Sequence, residues 1–152
     1  MYTEHTTKIL VKYNYINCKQ DKGKESILSK VCNSAGLLIK LPNIIYIEHK
    51  SLNHAVLGET VIDLHSNKKI SLNNSLTIKE SILVLTHELV HLCQIHTNKL
   101  SLHKNGNYIW EGKQYGNIAS LRALSYYDYL QLPWEQDVAK IQQKLLENLL
   151  KN

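Results

Sequence analysis

No stretch of this 152-residue chain approaches the roughly 20 apolar residues that a membrane span needs. The first residues, MYTEHTTKILVKYNYINCK, lack an apolar core of signal-peptide length. A cytoplasmic location is therefore expected, a phage or virus product would read the same way, and no membrane partner is expected. Cysteine is scarce. Cys18, Cys32 and Cys93 are the only three, an odd number without a CxxC pair, which argues against a disulfide framework and suits a reducing compartment. Basic residues exceed acidic ones by five, with a pI near 9.0, but no block of five or more lysines exists. A nucleic-acid partner has only that net charge behind it and is not expected. Internal repeats, low-complexity tracts and linkers are absent, so a single domain over residues 1–152 with a real core is expected. Hydrophobic residues make up 43% and charged residues 20%, the ordinary balance of a folded chain.

What the chain does have is a motif, His87-Glu88-Leu89-Val90-His91, inside the apolar stretch ILVLTHELVHLCQI. On a helix the two histidines fall about 40° apart, one turn above the other. Imidazoles so placed can share a tetrahedral zinc ion. A carboxylate next to the first of them can take a proton from a zinc-activated water and pass it to a leaving amine. His87 and His91 are thus candidate zinc ligands and Glu88 a candidate general base. The bland alternative is a helix with two surface histidines. Against it, Leu83, Val84, Val90 and Ile95 flank His87 while Ile82, Leu85, Leu89 and Leu92 cover the far side. A helix apolar nearly all round is buried, and buried histidines need partners. Cys93 lies about 120° from His87 around the helix and is expected to pack.

The flanking segments predict an α+β fold. Residues 8–16 are β-prone, residues 20–24 read as a turn with Gly23, and residues 25–35 carry apolar side chains at helical spacing before Gly36. Residues 37–41 and 44–48 read as strands around Pro42-Asn43, followed by strands at 60–64 and 70–73, with a hairpin turn at 66–69. Any of these strands could present an edge to an extended substrate. After the central helix, 98–107 reads as loop, 108–115 as strand with a turn at Gly112, and 117–130 as mostly helical. Pro133 opens a last helix to about Leu150. Helix, strands and then a buried HExxH helix is the order of a minimal zincin core: a small mixed sheet on the HExxH helix, with the C-terminal helix closing the zinc site.

Catalytic zinc needs a third protein ligand and an open position. A histidine six residues after His91 would complete one common pattern, but Thr97 stands there. His96 points about 180° from His87. The remaining candidates are His103, Glu111, Asp128, Glu135 and Asp137. On the last helix, Val138, Leu145, Leu146, Leu149 and Leu150 lie within about 80° of Glu135, so this carboxylate sits in the apolar stripe, where it needs a partner. Asp137 points about 160° away. Glu135 is the preferred ligand. Interaction with its own helix N-terminus, or ligation by His103 instead, stays open.

His87-Glu88-Leu89-Val90-His91 with Gln94, Trp110-Glu111-Gly112-Lys113-Gln114-Tyr115, and Tyr129-Leu130-Gln131-Leu132-Pro133-Trp134-Glu135-Gln136-Asp137 together resemble the small zinc metallopeptidases of phages and bacteria. The resemblance spans roughly residues 80–139 and departs at Val138, where a smaller residue is expected. It implies a zincin-like fold with Glu135 as third ligand. The expected activity is a zinc-dependent peptidase of the gluzincin type, whose partner is a protein or peptide substrate. The oxyanion-stabilising group is sought among Tyr115, Tyr126, Tyr127 and His103, while Trp110 and Trp134 are expected in the core. The rival reading is a non-catalytic zinc-stabilised module of the same shape; Glu88, for which a structural site has no need, favours catalysis. Nothing in the sequence marks the oligomeric state.

Overall fold

The computed structural model describes residues 8–53, 55–62 and 67–151. Strand β1 (Leu10–Tyr15) pairs in parallel with β2 (Ile44–Lys50), Leu10 opposite Ile44 and Tyr15 opposite His49. A parallel pair requires a crossover, and helix α1 (Lys22–Ala35) supplies it. The helix begins before the apolar periodicity does, because the Asp21 side chain accepts from the Lys24 amide, a cap that satisfies one of the orphan donors of the first turn. Gly23 therefore lies inside the helix, not in a turn. Gly36 ends it in a right-handed conformation; its need is space, since a Cβ there would lie 2.6 Å from Ile9 Cδ1.

Residues 37–41 do not form the expected strand. The amides of Leu37, Leu38 and Ile39 bond back to Ser34 and Ala35 carbonyls at the end of α1, which uses the donors a ladder would need. Strands β3 (Gly58–Ile62) and β4 (Lys68–Asn73) form an antiparallel pair with Ile62 opposite Lys68. Of the expected strand at 60–64 and turn at 66–69, residues 63–66 lie outside the described residues, and Lys68 and Lys69 belong to β4. Strand β4 also pairs in parallel with β2, giving the order β1-β2-β4-β3 with β3 at the edge.

Helix α2 (Ile78–His96) carries the HExxH motif. Its start is fixed by a capping box: the Thr77 hydroxyl accepts from the Glu80 amide, and the Glu80 carboxylate from the Thr77 amide, pairing two donors reciprocally. Helix α5 (Pro133–Lys151) runs antiparallel to it. Gln142 Nε2 reaches the Leu83 carbonyl at 2.9 Å near the start of α2, while Gln94, near the end of α2, donates to the Trp134 carbonyl at 2.9 Å. Ile45, Ile47, Ile70 and Leu72 project from one face of the sheet into a core with Leu28 and Val31 of α1, Leu85, Leu89 and Leu92 of α2, and Val138 and Leu145 of α5. Each such side chain contributes about 1.5–3 kcal/mol through burial. The opposite face leaves Leu10, Ile44 and Tyr46 exposed.

The segment between α2 and α5 builds a second, smaller layer. Strands β5 (Leu100–Leu102), β6 (Asn107–Trp110) and β7 (Lys113–Asn117) form an antiparallel sheet. The two-residue turn at Glu111-Gly112 has φ of 48° and 85°, the positive values that a right-twisted hairpin favours and glycine supplies. Two short helices, α3 (Ile118–Arg122) and α4 (Tyr126–Leu130), follow. Trp110 and Trp134 pack here, as expected, with Ile95, Leu100 and Leu132. Helix α2 thus serves both cores. The architecture is α+β, a mixed four-stranded sheet with its helices on one face, and no described helix is long and apolar enough to cross a membrane.

Candidate metal centre

Helical spacing brings the His87 and His91 rings to 4.9 Å between centroids, inclined at 70°. The antiparallel docking of α5 lays its first turn against them and delivers Glu135, which is 5% exposed. One carboxylate oxygen faces each imidazole: Oε1 lies 3.1 Å from His91 Nε2, and Oε2 lies 3.5 Å from His87 Nε2. The ligand atoms of these three residues all fall within 4.8 Å of one another. A tetrahedral ion with bonds of 2.0–2.2 Å separates its donors by about 3.4 Å, close to the 3.5 and 3.1 Å between Glu135 and the two imidazoles. His87, His91 and Glu135 could hold a metal ion.

No other sequence candidate joins them. His103 uses Nδ1 to accept from the Asn105 amide in an exposed loop, Glu111 sits 3.9 Å from Lys99 in the β6–β7 turn, and Asp128 is exposed on α4. Asp137 stands one layer behind the candidate ligands. Its carboxylate accepts from Gln94 Nε2 at 3.0 Å, and Gln94 Oε1 lies 2.9 Å from His91 Nδ1. Because Nε2 of the same amide also donates to Trp134, the Gln94 orientation is fixed with its oxygen towards the imidazole. Gln94 Oε1 therefore accepts from His91 Nδ1, and Nε2 is the ring nitrogen turned to Glu135, the one that could ligate a metal ion after losing its own proton.

The Tyr129 hydroxyl donates to Glu135 Oε1 at 2.8 Å. Burial alone would raise the Glu135 carboxyl, but the His91 hydrogen bond and charge, the Tyr129 bond and the His87 charge together hold it below its ordinary value. Burial would lower His91; the Glu135 hydrogen bond and the charges of Glu88 and Glu135 outweigh that and raise it. Burial and the adjacent Glu135 push the Tyr129 phenol up, so it is a donor.

Glu88, also buried, is outside the cluster. Its Oε2 lies 2.8 Å from Thr60 Oγ1, and the same hydroxyl is 3.1 Å from the Glu88 carbonyl. Thr60 shares the face of β3 opposite Ile70, which is the side turned to α2. Gly58, two residues earlier, makes this approach feasible: a Cβ there would lie 2.5 Å from Val84 Cγ1.

A cleft of about 510 Å³ opens over Glu88, His91 and Glu135, with edge strand β3 along one side and β5, α3 and Tyr129 along the other. None of Tyr115, Tyr126, Tyr127 and His103 lines it. Tyr115 packs edge-on to Trp134 at 5.4 Å, and Tyr126 and Tyr127 are 77% and 71% exposed. The lining residues that sequence reasoning missed are Thr60, Tyr129 and Arg122. Thr60 carries a local signal, a polar residue in a β-prone run; the other two are placed by the short helices α3 and α4, which have no buried residues of their own.

Comparison with known proteins gives no match to a family model, to a curated protein sequence or to a solved structure.

Proposed function

We propose that this protein is a zinc-dependent metallopeptidase with a zincin-like fold, similar to the small phage and bacterial enzymes that its motifs resemble. The observation that carries the reading is the division of labour at the cleft: His87, His91 and Glu135 converge on one point, while Glu88, next to His87 in sequence, stays out of the ligand set and is held by Thr60. A structural site would have no use for that second carboxylate. Two imidazoles and one carboxylate, with room left in an open cleft, is the donor set of a catalytic zinc.

Zinc held by His87, His91 and Glu135 would supply Lewis acidity toward a peptide carbonyl and would lower the pKa of water towards neutral. Glu88 accepts the water's proton and returns it to the departing amine. Thr60 keeps the Glu88 carboxylate in one orientation, so the base is not reoriented for each turnover. Tyr129 donates to Glu135 and keeps its charge on the ligand side. Among the described residues, strand β3 lies at the edge of the four-stranded sheet and along the cleft, and it suits an extended peptide added by main-chain hydrogen bonds.

Metal analysis of the purified protein, run beside digestion of a mixed peptide library, tests the reading. About one zinc per chain and cleavage that disappears in Glu88→Gln support it. A stoichiometric metal with no cleavage of any peptide by the wild-type chain rejects the peptidase and leaves the zinc-stabilised module.

A further inference from the structure

The chain contains a single arginine, Arg122; its other seventeen basic residues are lysines. That arginine sits at the end of α3 and lines the cleft over the candidate metal centre. Arg122 is exposed, and the lining on its side of the cleft is mainly apolar: Leu100, Leu102, Tyr108, Ile118 and Leu121, with Ser101 between the first two. Among the described residues no carboxylate lies within ion-pairing distance of its guanidinium; the ion pairs present involve Lys50, Lys69, Lys99, His87 and His91. Glu59 also borders the cleft, but it is paired with Ser71, on the face of β3 opposite to that of Thr60, so its side chain is directed away from α2. Glu88 and Glu135 are already held by Thr60, the histidines and Tyr129.

An exposed cation among mainly apolar lining, without an ion-pair partner among the described residues and in the same cleft as Glu88, His91 and Glu135, is placed to meet a charge brought by the substrate. Arginine adds geometry to charge, because its planar fork matches the two oxygens of a carboxylate. We infer that Arg122 is a specificity-determining residue that pairs with a carboxylate of the peptide substrate, whose aliphatic portion lies against Leu121, Ile118 and Tyr108. The carboxylate is either an acidic side chain near the scissile bond or the free C-terminus. This inference rests on the peptidase reading for the identity of the ligand as a peptide, though not for the pairing itself.

Binding and cleavage separate the two. In the first measurement, zinc-loaded Glu88→Gln protein is titrated with three peptide probes of otherwise equal sequence. One is acetylated and amidated with an internal glutamate, one is the same with glutamine, and one has glutamine and a free C-terminus. Either carboxylate-bearing probe should bind roughly 10-fold more tightly than the blocked glutamine probe. Introducing Arg122→Gln should abolish that difference, and Arg122→Lys should restore part of it. The preferred probe identifies which carboxylate is read. Equal binding of all three probes, no measurable binding of any, or a preference that survives Arg122→Gln overturns the inference. In the second measurement, library cleavage by the wild-type chain should be enriched at a fixed distance from the preferred carboxylate, and Arg122→Glu should shift the enrichment to basic residues. Cleavage that depends on Glu88 and shows no such enrichment overturns the inference while the peptidase stands. Binding selectivity without any cleavage overturns the peptidase while the Arg122 pairing stands.

Discussion

The side-chain amide of Gln94 joins His91 to the first turn of α5, with its oxygen 2.9 Å from the imidazole and its nitrogen 2.9 Å from the Trp134 carbonyl. Gln94 is 1% exposed, so water cannot replace any partner it loses. Gln94→Ala should therefore cost about 1–3 kcal/mol of stability, the price of leaving buried polar groups unpaired. It should also weaken metal affinity by roughly 10–100-fold, as the loss of groups that orient a ligand does. Urea unfolding together with chelator competition measures both, and a variant with wild-type metal affinity would remove Gln94 from the site.

Glu135→Ala separates the third ligand from its alternatives. Zinc affinity should fall by at least the roughly 10–100-fold typical of losses outside the ligand set itself, whereas His103→Ala should leave it unchanged, because His103 lies in an exposed loop bonded to Asn105. Competition with a chromogenic chelator reads both. Retained affinity in Glu135→Ala with loss in His103→Ala would replace the present ligand set by three histidines.

Thr60→Val removes the hydroxyl that holds Glu88 while keeping a β-branched side chain in β3. Peptide cleavage should drop by about 10-fold or more, less than the roughly 10²–10⁴-fold attributable to the general base itself, with zinc content unchanged. Steady-state rates of Thr60→Val and Glu88→Gln, each corrected for bound zinc, check the order of the two effects. Equal rates for wild type and Thr60→Val would mean that Glu88 orients itself.

Stability should depend on pH through His49, which lines a different cleft from the candidate metal centre. Its ring is buried against Tyr15, with centroids 4.8 Å apart, and Nε2 has no hydrogen-bond partner among the described residues. Burial, then the nearby Lys24 ammonium, lowers its pKa, against the pull of Glu25 and Asp21. The folded state thus prefers the neutral ring. This contribution is whole above the ordinary histidine value near 6.5 and is lost as pH falls below it, where the unfolded chain takes up the proton first. His91, raised instead, acts in the opposite sense in the metal-free protein, so a variant comparison is needed. His49→Phe should keep the stacking and lose less stability than wild type between about pH 6.5 and 5. Urea midpoints across that range measure it, and parallel curves would contradict it.

The legible parts of this fold are those decided by neighbours in sequence. The HExxH helix, the apolar stripe of α5 and the placement of Glu135 within it all follow from helical periodicity, and the docked helices bring those residues together. The capping box at Thr77 and Glu80 was available at the same level. Residues 37–41 misled because their apolar character says nothing about backbone donors, which the end of α1 takes. Tyr129 and Arg122 were not legible, since each reaches the site from a short helix whose position depends on packing far along the chain. Among nine tyrosines, composition offers no way to tell Tyr129, bonded to Glu135, from the neighbouring and exposed Tyr126 and Tyr127.

The contact between His91 and Glu135, 44 positions apart (135 − 91), closes a loop of chain that contains the whole β5–β7 sheet, α3 and α4. A polymer held at both ends loses conformational freedom, and the penalty grows only slowly with length, by about 0.6 kcal/mol for each doubling. Most of that penalty is met when α5 docks on α2, before any ion is considered. The wall that carries Arg122 is consequently a tethered arc whose ends are fixed by two of the candidate ligands, so an ion bound there would be thermodynamically linked to its breadth of motion.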